Sequence, residues 1–436
     1  MQYTHGGDIY TYGEMIDFSV NINPLGPSKK VIEAAKRALL QSAAYPDCKC
    51  RKLREKLADR LRVDERMFAF GNGAAELLYT LVLAEKSKKA LLPIPSFSEY
   101  EQALKTVGCE IKYYQTKKNN GFCIDYDFLE ELTEDVDIIF LCSPCNPSGK
   151  KTDIELLKEA AKRCEQKKIR FVLDECFLEF EKEPESLFDK INIVHYPHLF
   201  LLRAFTKTYA IPGIRLGYGL TSDEKLLENM EKMRQPWNVS VIAQEAGIAA
   251  LDEKDRVEKM RRMIQIERME IEKQLDILKI DFVSSDANFI LIYSEINLFE
   301  ELLQYGILIR DCANYRGLET GWYRIAVKQR HENEQLLKAL KEIIERNRQE
   351  ADIDGKTDHD TGNDVQCGKK SACGGLMPDF PSGRIPCGAV QITEYGAEFI
   401  YHRGWSGDGK GSGHAGGSSR DQTFGSYEPH PFEAYQ

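Results

Sequence analysis

Among the residues of this 436-residue chain, Lys207 has the neighbourhood that most constrains its chemistry. It lies in residues 201–220, LLRAFTKTYAIPGIRLGYGL, between two apolar runs, with a break at Pro212-Gly213 and Arg215 eight positions further on. A lysine placed there either snorkels at a strand end or is held partly buried, where desolvation lowers its pKa and leaves a nucleophilic amine. Such an amine can form a Schiff base with pyridoxal phosphate, and Arg215 could then pair with the cofactor phosphate.

Other residues suit the same chemistry. The apolar run 136–141 leads into SPCNPSG, which leaves Asn146 at a tight turn, and 171–173 leads into Asp174-Glu175. An Asp directly after an apolar strand is equally at home as an N-cap or metal ligand. Gly71-Asn-Gly73 opens an apolar helix at Ala74 and Ala75, and a glycine turn at a helix start gathers free N–H groups and the positive dipole end, a point suited to phosphate. Arg310, Arg316 and Arg324 stand at or near strand ends, available for solvation or for anions. His5 and Asn21 are polar groups on an N-terminal arm. Cys142 and Cys145 have the C-x-x-C form of a redox pair, though the same residues fit the turn that carries Asn146.

The elements that must hold these groups alternate. Short runs rich in β-branched or aromatic residues are expected as strands at 89–94, 110–114, 136–142, 170–173, 191–194 and 199–202, with helices at 29–40, 50–61, 74–84, 100–107 and 153–167. Alternation of this kind predicts an α/β fold, a mostly parallel sheet with helices on both faces and sites at the carboxyl ends of its strands. Helices dominate from 223 to 278, the last a long charged one over 253–278. Runs 281–293, 307–310 and 323–327 with helices 298–305 and 332–346 predict a smaller α+β domain. Expected boundaries are 1–44 for an arm and part of the small domain, 45–255 for the large domain, 256–348 for the small one, and 349–436 for a tail. That tail is glycine-rich, with half of the chain's 32 glycines beyond residue 350, and is expected to be disordered. Its Cys367, Cys373, Cys387, His402 and His414 lack the tight C-x2-4-C spacing of a zinc site, and no metal is expected at the active site.

The net charge of -10 gives no basic footprint for nucleic acid or an anionic membrane. The first residues have neither a basic n-region nor an apolar h-region, and no run approaches about 18 apolar residues, so a cytoplasmic protein with reduced thiols is expected.

The motifs HGGDI, DFSVNINPLGP, YPD, FGNGAAE, SPCNPSG, DECFLEF, the lysine segment, NYRGL and YRIAV occur in that order. Together, over about residues 1–348, they resemble the fold-type I pyridoxal-phosphate enzymes of the class I/II aminotransferase superfamily. Within it they are most similar to the threonine-phosphate decarboxylases of cobalamin biosynthesis, with histidinol-phosphate aminotransferases close by.

The resemblance implies Lys207 as the Schiff-base lysine, Asp174 as partner of the pyridinium nitrogen, Asn146 on the ring hydroxyl and Phe97 stacked on the ring face. The cofactor phosphate would meet Gly73, Ala74, Ala75, Thr206 and Arg215, with Tyr45 supplied by the partner subunit of a homodimer. Arg324 would take the substrate α-carboxylate, and His5, Asn21 and Arg310 would surround the substrate's own phosphate. Two positions depart from the pattern. Ala204 stands where relatives place a hydroxyl, and Phe177 stands where aminotransferases place a tyrosine near the ring hydroxyl. The implied reaction is decarboxylation of L-threonine O-3-phosphate. Aminotransfer to a phosphorylated amine such as histidinol phosphate is the alternative, and a catalytically inactive scaffold of the same fold the non-enzymatic one.

Overall fold

In the computed structural model, which describes residues 5–360, thirteen strands form three sheets. In chain order the strands are β1 (Ile16–Asp17), β2 (Phe68–Gly71), β3 (Lys89–Ile94), β4 (Glu110–Gln115), β5 (Ile138–Cys142), β6 (Arg170–Asp174) and β7 (Leu199–Ala204). They are followed by β8 (Gly217–Leu220), β9 (Asp281–Val283), β10 (Phe289–Tyr293), β11 (Ile307–Leu308), β12 (Arg310–Asp311) and β13 (Trp322–Ala326).

The main sheet has the order β2-β8-β7-β6-β5-β3-β4. Strands β4, β3, β5, β6 and β7 run parallel, and β8 is antiparallel to both of its neighbours. The parallel strands are near-continuous apolar runs because both of their faces are covered. Alternate residues feed two different cores: Leu92, Phe140, Val172 and Leu202 pack into one, and Leu91, Ile139, Phe171 and Leu201 into the other. Helices therefore lie on both faces, as the alternating pattern predicts.

Helix Ala74–Glu85 is apolar nearly all round and buried, whereas Lys254–Leu278 buries one stripe, Val257, Met260, Ile264, Ile271 and Leu275 among it. Helix Lys29–Leu39 starts where expected, with Ser28 Oγ accepting from Val31 N at 3.1 Å.

A four-stranded antiparallel sheet, β12-β13-β10-β9, and a two-stranded parallel pair, β1-β11, complete the frame. The pairing of β1 with β11 attaches the N-terminal arm to the segment that carries Arg310. Ala326 N also donates to Phe18 O at 2.9 Å, which ties the arm to β13.

Residues 191–194 do not form the expected strand. Asn192 Oδ1 accepts from Val194 N and starts a single tight turn, Ile193–His195, before Pro197, so the β-branched pair there lies in a loop. The last helix, Arg330–Asp360, runs beyond the expected end at 346. The expectations for residues 361–436, including their cysteines and histidines, lie outside the described residues. Among the described residues no helix is long and apolar enough to cross a membrane.

Candidate active site

One cavity of about 380 Å³ opens at the carboxyl ends of β5, β6 and β7 and is closed on its other side by the arm and by β12 and β13. Of the residues singled out from the sequence, it is lined by His5, Asn21, Ala74, Ala75, Phe97, Asn146, Asp174, Phe177, Thr206, Lys207, Arg215, Arg310 and Arg324, whereas Gly73, Tyr45 and Arg316 do not line it.

Lys207 sits in the four-residue helical turn Phe205–Thr208 that follows β7. Among the described residues its amine has no hydrogen-bond partner. Burial first, and the Arg324 guanidinium second, bring its pKa down to about 8. Lys207 is half-buried and desolvated by the cavity walls, so the partly buried reading of this lysine holds over the snorkelling one.

Asp174, at the end of β6, is also buried, and burial holds its carboxyl above the usual carboxylate range. Tyr100 Oη donates to its Oδ2 at 2.6 Å and Cys176 N to its Oδ1 at 2.9 Å. These two donors fix the carboxylate against the cavity floor, where an opposite charge on a ligand would favour its ionised form.

Behind the cavity Arg203, at the end of β7, clamps the neighbouring Glu175. Arg203 Nη2 and Nε donate to Glu175 Oε2 at 2.7 and 2.9 Å, and Ser186 Oγ bonds both Glu175 and Arg203. The strand ends that carry Asp174 and Lys207 are thus locked together by an ion pair whose carboxylate is buried.

A glycine turn of the kind suited to phosphate opens the twelve-residue helix Ala74–Glu85. Its N-cap, Gly73, has φ +83° and no side chain to cap the helix, and any Cβ there would strike the Arg215 guanidinium. Arg215 and Thr206 face the same end of the cavity. Ala204, half-buried at the N-cap of the lysine turn, offers no hydroxyl.

At the opposite end, Arg324 donates through Nη1 to Asn146 Oδ1 and through Nη2 to Ser19 O at 2.9 Å. Its buried Nε has no partner, and neither has the buried Oδ1 of Asn21. Polar atoms left unpaired inside a cavity mark places for ligand atoms. Arg310 donates to Asp311 O at 2.6 Å and to Asn314 Oδ1 at 2.8 Å, and lies over the Tyr315 ring. His5 reaches the cavity from the arm and pairs with Glu99 at 3.2 Å.

Phe97 lines the wall and meets Tyr100 edge-on, whereas Phe177 packs edge-on against Phe289. Tyr45 is 79% exposed and stacked on Trp237, outside this chain's own cavity. Arg316 is also outside it, held by both oxygens of Glu101 and lying over Tyr113.

The C-x-x-C reading does not survive. Burial pushes the Cys145 thiol up to about 11 and holds that of Cys142 well above its usual value, and the two donate to backbone oxygens, of Pro95 and Pro144 respectively. These cysteines shape the turn that presents Asn146.

Tyr100, Tyr315, Ser19 and Cys176 were not singled out from the sequence, yet all four line the cavity. Tyr315 lies inside NYRGL, a motif whose arginine drew attention instead. Tyr100 reads only as one aromatic position of a helix.

The residues present fit pyridoxal phosphate. The glycine-opened helix start with Arg215 suits a phosphate, the fixed Asp174 a ring nitrogen, and the low-pKa Lys207 an aldehyde carbon. A family model for aminotransferase class I and II matches residues 13–343. The chain is similar to a threonine-phosphate decarboxylase of Salmonella typhimurium, 35% identical over 356 residues, covering 78% of this chain and 96% of that one. It is similar to histidinol-phosphate aminotransferase 2 of Archaeoglobus fulgidus, 34% identical over 337 residues, covering 76% and 93%. Its fold is similar to the crystal structure of the histidinol-phosphate aminotransferase from Clostridium acetobutylicum, with TM-score 0.71, 32% identity, and coverage of 76% of this chain and all of that one.

Proposed function

The chain belongs to the class I and II aminotransferase family of pyridoxal-phosphate enzymes, and from that premise we propose that it decarboxylates L-threonine O-3-phosphate. The products are (R)-1-aminopropan-2-yl phosphate and carbon dioxide, a reaction of cobalamin biosynthesis. The observation that carries this reading is one cavity holding Lys207 and three guanidinium groups, Arg215, Arg310 and Arg324. Arg215 at the helix start serves the cofactor phosphate, which leaves two arginines for a substrate with two anionic groups, a carboxylate and a phosphate.

Bound pyridoxal phosphate supplies an electron sink, so that of the bonds to the substrate Cα the one held perpendicular to its ring is weakened. The chain's own residues choose that bond. Arg324, with its unpaired Nε, takes the α-carboxylate. Arg310, His5 and Asn21 would hold the substrate phosphate, and these two anchors together would set how the carboxylate is presented. Asp174 would hold a proton on the ring nitrogen, and Asn146 would donate to the ring oxygen. The Lys207 amine, with a pKa of about 8, is neutral often enough near physiological pH to carry a proton to or from Cα.

Aminotransfer from a phosphorylated amine such as histidinol phosphate is the second reading, favoured by the 34% identity to an aminotransferase of that name. Histidinol phosphate has no carboxylate, so Arg324 would then act only in the half-reaction with an amino acid. Tyr45, exposed on this chain and stacked on Trp237, supports a homodimer in which it completes the partner's phosphate site.

The test is to incubate the protein with L-threonine O-3-phosphate and measure released carbon dioxide. Stoichiometric gas and aminopropanyl phosphate are expected. No gas, together with 2-oxoglutarate-dependent turnover of histidinol phosphate, would overturn the proposal in favour of the second reading.

A further inference from the structure

Tyr315 is a buried tyrosine whose ring joins a small apolar cluster with Phe122, Val283, Leu291, Cys312 and Trp322, while its hydroxyl reaches the reaction cavity. Three site residues meet on it. Its Oη donates to Asn146 Oδ1 at 3.2 Å and accepts from Arg324 Nη1 at 3.3 Å, and the Arg310 guanidinium carbon lies 5.3 Å from its ring centre. Arg324 Nη1 also donates to Asn146 Oδ1, so Asn146, Tyr315 and Arg324 form a closed triangle of hydrogen bonds.

The triangle fixes the Asn146 amide. A guanidinium can only donate, so the amide atom facing Arg324 must be the oxygen. With that oxygen taking two donors, Asn146 is left to offer its NH₂ to a ligand. It can then serve only an acceptor, such as a phenolate oxygen. Phe177, at the place where a tyrosine hydroxyl would otherwise share this duty, contributes no donor and packs on Phe289, under the Arg324 guanidinium.

We propose that Tyr315 is a positioning residue: its hydroxyl presents the Asn146 amide to the cofactor's ring oxygen and fixes Arg324 relative to it, while its ring seats Arg310. The anchors for the ring, the α-carboxylate and the distal phosphate are thereby set in one relation by a single side chain. The inference rests on the roles given above to Asn146, Arg324 and Arg310.

The test uses the full chain carrying Tyr315→Phe, which removes one oxygen and keeps the ring. Pyridoxal phosphate is titrated into the apoprotein, and the pH midpoint of the bound cofactor's visible absorption is recorded. Relative to the unaltered chain, Tyr315→Phe is expected to raise the dissociation constant about three- to tenfold, as for one lost hydrogen bond. It is also expected to move the absorption midpoint up by about half a unit or more, because the ring oxygen loses a fixed donor. Phe122→Leu is the control, since it disturbs the same apolar cluster, with Phe122 edge-on to Trp322, without touching the site. It should lower the melting temperature and leave the midpoint in place.

The proposal is overturned by an unchanged midpoint and affinity in Tyr315→Phe, or by an equal shift in Phe122→Leu. With L-threonine O-3-phosphate, Tyr315→Phe should lower kcat/KM about tenfold. If the unaltered chain does not turn over that substrate, the functional reading fails, while the cofactor titration still decides the role of Tyr315.

Discussion

The two ends of the cavity are built differently. At the floor, Asp174 and Lys207 stand on adjacent parallel strand ends. Backbone ladders, two fixed donors on Asp174 and the Arg203–Glu175 ion pair behind them leave little freedom. At the opposite wall, Arg324, Asn146, Tyr315, Ser19 and Arg310 come from the arm, the turn after β5 and the small sheet. They meet through side-chain bonds spanning up to 305 positions of sequence, with Arg324 Nε and, beside them, Asn21 Oδ1 left unpaired. The floor fixes which cofactor is used. The wall, held by side-chain bonds and with open valences, is where the proposed reading places the choice of substrate bond, and the chain is similar to relatives of two activities. Differences between those activities are therefore expected at the wall.

The largest expected effect breaks the floor at its reactive atom. Lys207→Ala should abolish the visible absorption of the bound cofactor and lower turnover by about 10⁴-fold or more, because on the proposed reading one residue supplies both the covalent anchor and the proton carrier. A pH measurement sharpens the same point. The Lys207 pKa is depressed from 10.5 to about 8, so the neutral, nucleophilic fraction of the amine grows as pH rises through 8. Cofactor uptake by the apoprotein should accelerate most between about pH 7 and 9. An ordinary lysine would show the rise between about pH 9.5 and 11, and observing it there would mean that the amine is not desolvated.

The next effect tests whether the floor is locked. Glu175→Gln removes the buried charge that faces the half-buried Arg203 and should cost on the order of 3 kcal/mol of stability. Chemical denaturation of the apoprotein measures this directly. A cost below about 1 kcal/mol would mean that the strand ladder alone holds these ends and that floor and wall differ little in how they are held.

The same contrast explains what was legible in the sequence. Lys207, Asp174, Asn146 and the glycine turn follow apolar runs or turn residues, local signals that mark strand ends and helix starts. The parallel sheet was legible for the same reason. The strand expected at 191–194 was not, because β-branched composition resembles a strand until Asn192 caps a turn instead. Tyr100 and Tyr315 act through partners 74 and 169 positions away, and no local pattern separates such tyrosines from core aromatics. The resemblance supplied Arg310, His5 and Asn21, whose local signals were compatible with plain solvation.

The smallest effect lies at Ala204, where the resemblance implies one missing hydrogen bond to the cofactor phosphate. The residue has extended backbone (φ −127°, ψ 134°) and stands at the N-cap of the lysine turn without a capping side chain. A hydroxyl restored there has two possible partners. It can donate to the phosphate beside Thr206 and Arg215, or accept from the free N–H groups of the turn, as serine N-caps do. The two differ in what they stabilise. Donation strengthens only the loaded protein, by about 1 kcal/mol or roughly fivefold in the dissociation constant of pyridoxal phosphate. Capping strengthens the apoprotein and leaves that constant unchanged. Ala204→Ser is expected to tighten cofactor binding about fivefold with no rise in the apoprotein's melting temperature. The reverse pattern would show that this position belongs to the lysine turn and not to the phosphate cradle.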